Sequence, residues 1–490
     1  MKIQGLQNRK QIAELLGIPL KELTYILYVQ KPETFYRSFK ISKKNGGFRS
    51  IDAPEGSLVY VQRLLARRLT TWILEKKLNT GVSHAFKKGR SIITNSSTHK
   101  NHRFILSVDL SDFFNSIHFG RIEGFFQKNK YFSFSREAAI VIAQLTCYHG
   151  SLPQGAPTSP VLSNLICQIM DRRILELASK YRVNYSRYAD DLTFSTNQPK
   201  FGLESQNFLS ELAFIIGQSG FRINESKTRL QYKDSRQEVT GLIVNKKIGV
   251  PKQFVKNTRA MANTLYKTGQ FEIDGKQGSI NQLEGRFTFI NQIDWYNHRM
   301  ADSVKSTNSS TRGRLTKMNS RERQYRQFLI YKYFINNPRP LIVTEGKTDI
   351  LYIKSALRSL NQHFPELVTF NDDKSEYSLD ISFFERGIRS DHGRSGNKKN
   401  QRLPYFLGLK MDGGDELQHI YDYYSGRDSA NYPPYAQMLI HSFHIVPQHP
   451  VILLFDHELS GKNRPLRKFL NSPRIVKLSA TVKTHPCELV

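Results

Sequence analysis

Two short segments constrain this chain more than anything else in it: the apolar run ILSVD, residues 105–109, and SRYADDLTFS, residues 186–195. The first reads as a buried strand that ends on an acid, Asp109. The second reads as a hairpin with Asp190 and Asp191 at its turn, where neighbouring side chains project together. Pairing these strands would gather three carboxylates into one cluster, and such a cluster repels itself unless cations neutralise it. An Asp-Asp pair alone is most often a solvated turn. Here it is supported by the intervening SLPQGAPTSPVLSNL, residues 151–165, a Gly- and Pro-rich loop leading into an apolar helix, which lets a ligand approach the backbone.

The chemistry that needs such a cluster is nucleotidyl transfer, in which carboxylates at strand ends hold two divalent cations. Composition agrees. The 490 residues carry 72 Lys plus Arg against 42 Asp plus Glu, a formal charge of +30, which calls for a polyanionic partner such as nucleic acid. Three cysteines, Cys147, Cys167 and Cys487, are too few and too uneven for a disulfide framework or a cysteine-based zinc site. The N-terminus has no apolar leader, and no window approaches the ~20 apolar residues of a membrane span, so a soluble, cytoplasmic protein is expected.

Along the chain, Ile12, Leu15, Leu16, Leu20, Leu23 and Ile26 recur with helical spacing in an N-terminal segment, 1–37. FKISKKNGGFRSIDAP, residues 39–54, reads as a basic hairpin. From 105 to 250, strand-like and helical runs alternate as a mixed α/β layer. Residues 253–298 are helical and basic, whereas 301–338 begins polar and Ser/Thr-rich and reads as a linker. From 339 to 490, LIVTEGKTD, YFLGLKMDGGD and VILLFDHE are short apolar strands ending near acids, as in a parallel α/β domain, with a polar insertion at 371–402.

The order VDLSDFF, LPQGAPTSP, YADD, NESKT and VTG resembles the reverse transcriptase family over about residues 38–300. The resemblance implies a right-hand polymerase, with fingers and palm at 38–250 and a thumb at 251–300. It makes Asp109, Asp190 and Asp191 the ligands of two Mg²⁺ ions and Phe114 an aromatic gate against a ribose 2′-hydroxyl. It makes Gln154 and Arg49 nucleotide contacts, and brings Lys227 to the incoming deoxynucleoside triphosphate. Within the family, NSSTH, residues 95–99, resembles the asparagine-x-x-histidine signature of bacterial retron enzymes, with Ser96 where alanine is usual. With the triplet Val239, Thr240, Gly241 it implies that Asn95, His99 and the triplet contact RNA. The implied partners are a structured non-coding RNA and its RNA-linked single-stranded DNA product (msDNA), in an assembly that can include further copies of the chain.

The C-terminal part is similar to a TOPRIM domain, in which a glutamate precedes an Asp-x-Asp pair. Glu345, Asp456 and Glu458 occupy those positions, with glutamate in place of the last aspartate, and would converge on Mg²⁺. Asp349 would orient that site or cap a helix, and Lys347 and Lys462 would meet phosphate. The resemblance implies a nuclease effector of anti-phage defence. Two other readings stand beside it: a group II intron-like reverse transcriptase, and an RNA-binding scaffold whose main activity is the TOPRIM nuclease.

Overall fold

Strand β3 (Phe104–Ser111) is the centre of the first unit because both of its faces are covered. Leu106, Val108 and Leu110 enter the main core, while Ile105, on the alternate face, meets Val239 and Val244. β3 lies between β5 (Asp191–Thr196) and β6 (Arg222–Tyr232), and β4 (Asn184–Tyr188) flanks β5, giving the order β4-β5-β3-β6 with every pair antiparallel. Ala189 and Asp190 form the tight turn between β4 and β5, with Ala189 at φ 59. Helices Phe119–Lys128, Gln168–Lys180 and Phe201–Gln218 pack Ile122, Phe126, Ile174, Leu177, Phe208 and Leu212 into the core that also holds Leu106, Val108, Leu192 and Phe194. Each such side chain, fully buried, is worth about 1.5–3 kcal/mol.

This computed structural model describes residues 3–42, 46–78, 81–302, 318–346, 348–371, 376–385, 402–409, 414, 417–425, 432–456 and 464–470. The chain divides into two units, Met1–Pro251 and Lys252–Val490. In the first, Ile12, Leu15, Leu16, Leu23 and Ile26 join the same core as the sheet, whereas Leu20 is exposed. Strands β1 (Tyr36–Ser42) and β2 (Phe48–Pro54) form the expected basic hairpin. Asp52 N donates to Gln154 O at 2.9 Å, which joins the hairpin to the Gly/Pro loop. Gly155, at φ 137, is required there: a Cβ would lie 2.7 Å from Asp52 O.

In the second unit, helices Lys252–Thr268 and Ile280–Asp302 are joined through a small hairpin, Glu272–Ile273 with Lys276–Gln277. Their Leu265, Tyr266, Leu283 and Phe287 share a core with Tyr325, Phe328, Leu329 and Phe334. The linker expected at 301–338 is therefore corrected over its second half. Ser320–Ile330 is a helix, started by a capping box in which Asn319 accepts from Glu322 N and Glu322 accepts from Asn319 N. Its polar residues are core residues. Arg326 is buried, donates to Tyr423 Oη at 2.8 Å and lies 5.5–5.9 Å from the rings of Tyr423, Tyr432 and Tyr435.

Beyond it, Leu341–Thr344 is the central strand of a three-stranded parallel sheet between Ser382–Phe383 and Val451–Leu454, followed by helix Asp349–Ser359. Val368–Asn371 and Glu376–Leu379 form an antiparallel pair at the start of the expected insertion. Among the described residues no helix is long and apolar enough to cross a membrane.

Replacing Gly155 with alanine should lower the urea midpoint of the first unit's transition, a loss of about 1–3 kcal/mol from the φ penalty and the contact with Asp52. An unchanged midpoint would show that the loop is not held against β2.

Candidate active site

Sheet register, more than any local propensity, assembles the acids. Asp109 of β3 pairs directly with Asp191 of β5, and Leu110 N donates to Asp190 O at 3.1 Å, which draws the β4–β5 turn against the end of β3. By strand alternation Asp109 and Asp191 sit on the face opposite Val108, Leu110 and Leu192, away from the packed helices. Loss of water around Asp191 raises its carboxyl to about 6, and repulsion from Asp190 and Asp109 adds to the rise. Asp190 is raised chiefly by burial and then by Asp109, while Lys227 and Arg49 oppose the shift.

Lys227 arrives through an irregularity in β6. Ser107 pairs with Arg229 but Asp109 pairs with Asn224, so residues 225–228 bulge out opposite Val108 alone. The bulge aims Lys227 Nζ at both oxygens of Asp109, at 3.1 and 3.0 Å, and Asn224 Nδ2 donates to the same carboxylate at 3.1 Å. Among the described residues no three His, Cys, Asp or Glu side chains are gathered closely enough to hold a metal ion. The donor set nevertheless suits a divalent cation. Asp190 and Asp109 push the Asp191 carboxyl up, and the carboxylate with least access to solvent, Asp109, is neutralised by an ammonium.

Beneath the turn lies a group that sequence reasoning missed. Arg187 and Asp171 form a wholly buried, two-pronged ion pair at 2.8 and 2.9 Å, and Tyr185 Oη donates to Asp171 at 2.9 Å. The same guanidinium donates to Ala189 O at 3.2 Å, one residue before Asp190. Arg187 N also donates to Val82 O, and His84 N to Arg187 O. The turn that presents the acids is thus bolted to the helix Gln168–Lys180. The one signal in the sequence was a charged residue at an inward-facing strand position.

The other expected contacts surround the acids unevenly. Phe113 is buried and stacks on Phe221 at 5.6 Å, whereas Phe114 is half-buried and meets it edge-on at 5.2 Å. Phe113 is the anchor, leaving Phe114 the ring that can face a sugar. Gln154 is half-buried in the loop tied to β2, and Arg49 is exposed on β2.

Residues 41–245 match the family described as reverse transcriptase (RNA-dependent DNA polymerase). The chain is 32% identical to the retron Ec86 reverse transcriptase of Escherichia coli over 297 residues, 60% of this chain and 87% of that protein. This chain belongs to the retron reverse transcriptase family. It is also 32% identical to the retron Mx162 reverse transcriptase of Myxococcus xanthus, where the match spans 59% of this chain and 64% of that protein, and to the retron Mx65 enzyme of the same organism over 56% and 68%.

In this chain the signature residues do not line a surface. Asn95 and His99 are 0% exposed and Val239 is buried, so direct RNA contact by these side chains is corrected to an internal role. His99 Nε2 meets Ser186 Oγ at 2.7 Å and Nδ1 meets Ser195 Oγ at 2.8 Å, while Ser186 donates to Asn95 Oδ1 at 2.7 Å. Ser186 has one proton, spent on Asn95, so His99 donates from Nε2 and accepts at Nδ1. Burial first, then His102 and His84, push the imidazole down to about 3, which keeps it neutral. Ser96 donates to Val239 O at 2.8 Å and meets Thr240 Oγ1 at 3.1 Å. Its hydroxyl thus fastens the helix Ile92–Thr98 to the VTG triplet, whose Gly241 alone is exposed.

In the second unit, Glu345 and the backbone of Asp456 meet at the carboxyl edge of the parallel sheet. Glu345 N donates to Leu454 O at 3.0 Å, and Asp456 N donates to Glu345 Oε2 at 3.2 Å. Glu345 also lies against Gly414, where a Cβ would approach its carboxyl to 2.5 Å. Asp349 accepts from Gly346 N at 2.7 Å and thereby closes the turn. Glu458, Lys347 and Lys462 lie outside the described residues.

Arg187→Met leaves Asp171 buried without its partner and should cost about 3–5 kcal/mol in chemical unfolding of the first unit. Asp171→Asn with Arg187→Met should recover part of that loss. His99 gives a pH signature. Its folded pKa lies below the unfolded 6.5, so the unfolded chain binds the extra proton and stability should fall as pH drops below about 6.5. His99→Gln should flatten that acid limb by about one proton's worth; an unchanged slope would remove His99 as its source.

Proposed function

We propose that this chain is an RNA-directed DNA polymerase that copies part of a structured non-coding RNA into single-stranded DNA that stays linked to the RNA. The observation that carries the reading is the direct pairing of Asp109 with Asp191 beside the Asp190 turn, on the face of the sheet opposite helices Phe119–Lys128, Gln168–Lys180 and Phe201–Gln218. Membership in the retron reverse transcriptase family supports the choice of template and product. Asp109, Asp190 and Asp191 would hold Mg²⁺, which supplies acidification of the 3′-hydroxyl and neutralisation of the leaving pyrophosphate when bound.

The residues around them supply position. Lys227 neutralises Asp109 and, with its long exposed arm, can turn to the triphosphate of an incoming deoxynucleotide. Arg49, whose charge is felt at Asp190, approaches the same phosphates from the hairpin. Phe114, wedged against the anchored Phe113, lies under the sugar and excludes a 2′-hydroxyl. Gln154 borders the nucleotide from a loop whose path is fixed by Gly155 and Asp52.

For the second unit, a TOPRIM-like nuclease acting as a defence effector is the reading favoured by Glu345 and Asp456 at the edge of a parallel sheet. The polymerase and the nuclease are separable. Asp190→Asn with Asp191→Asn should reduce deoxynucleotide incorporation on an RNA template by at least about a thousandfold, within the range that preorganised charge supplies to a reaction. Glu345→Ala should leave incorporation unchanged. Incorporation that survives the double substitution would overturn the polymerase assignment.

A further inference from the structure

A groove of about 910 Å³ lies between helices Phe119–Lys128 and Gln168–Lys180. These helices pack on the face of the sheet that carries Val108 and Leu192, so the groove is on the opposite side of the sheet from Asp109 and Asp191. Its lining includes six cations, Lys77, Arg121, Lys128, Lys130, Arg172 and Arg173, and no carboxylate. They come from three separate stretches of chain that the core fixes in place.

None of the six is ion-paired among the described residues. The acids of the same helices are engaged or turned away. Glu123 accepts from Gln127 and pairs with Arg136, Asp171 is sealed against Arg187, and Glu176 is exposed but does not border the groove. Arg121 is partly buried, with its guanidinium 4.3 Å above the ring of Phe221 and one terminal nitrogen without a hydrogen-bond partner. Between the cations, the exposed Tyr131 and Ile169 provide flat apolar surface.

Six cations in one groove with no carboxylate among its lining create a positive field that favours a polyanion. Neutralisation along a backbone, with little to read base edges, is how A-form duplex is held. We propose that this groove is a second, non-catalytic RNA site, which grips the phosphates of a double-stranded stem of the template RNA while the single-stranded part is copied on the opposite face. The inference rests on the proposed template and adds to it a place for the part that is not copied. It accounts for a share of the +30 charge that the three-carboxylate cleft does not use.

The test uses the full chain with Lys128, Lys130, Arg172 and Arg173 all changed to alanine, four exposed positions whose loss leaves the core intact. One probe is an RNA hairpin with no single-stranded template; its DNA counterpart is the competitor. The other is oligo(dT) on poly(rA), read by incorporation. Hairpin affinity should fall at least about tenfold, and the slope of log affinity against log salt should lessen by about 3.6, near 0.9 for each of the four lost duplex phosphate contacts. Incorporation on poly(rA) should stay within about twofold.

Unchanged hairpin affinity and slope would overturn the proposal. So would an equal loss of incorporation, which would place the four residues in the catalytic path, or a DNA hairpin that competes as well as the RNA. A parent chain that binds the hairpin through these residues yet incorporates nothing would remove the polymerase reading and leave the groove.

Discussion

Three carboxylates in one corner of a sheet repel one another, and the first unit is arranged to hold them there regardless. Asp109 and Asp191 cannot separate, because the β3–β5 register that pairs them also sets which side chains enter the core. A slip of one residue would turn Leu192 and Phe194 out of the core and Asp191 into it. The cost of the charge cluster is thus carried by the hydrophobic face behind it. The repulsion is what a cation, or the ammonium of Lys227, answers.

The supports around that corner share one design: buried polar groups that are fully matched. Arg187 and Asp171 bind each other and hold Ala189, so the turn is fixed from below. His99, Ser186, Ser195 and Asn95 form a directional chain on the other face, which ties the helix Ile92–Thr98 to strands β4 and β5. Such networks cost much if half-satisfied and hold one geometry if complete. They place that signature, NSSTH with VTG, among the structural supports of the three-acid corner, with its exposed Gly241 at the rim.

How much of this was legible in sequence depended on where each residue's partner lay. The alternation in ILSVD and SRYADDLTFS gave the strands, and the acids at their ends gave the cluster, because both signals are local. Asn95 and His99 read as surface contacts because a polar loop with a histidine has no local mark of burial; their partners, Ser186 and Ser195, are about ninety residues away. Arg326 and Glu322 misled in the same way. Polar composition suggested a linker, yet the tyrosines that enclose Arg326 come from residues 423–435. The bulge that delivers Lys227 is likewise a product of strand pairing, invisible in NESKT.

The claim on which the account turns is that the register-enforced acids bind divalent cations. The direct measurement is electron paramagnetic resonance of Mn²⁺ titrated into the full chain with primer, RNA template and a non-hydrolysable deoxynucleoside triphosphate. The account predicts bound Mn²⁺ that is lost when Asp109 and Asp191 are both changed to asparagine, while Glu345→Ala keeps that fraction. Equal Mn²⁺ binding by the parent and the Asp109→Asn, Asp191→Asn chain would contradict it.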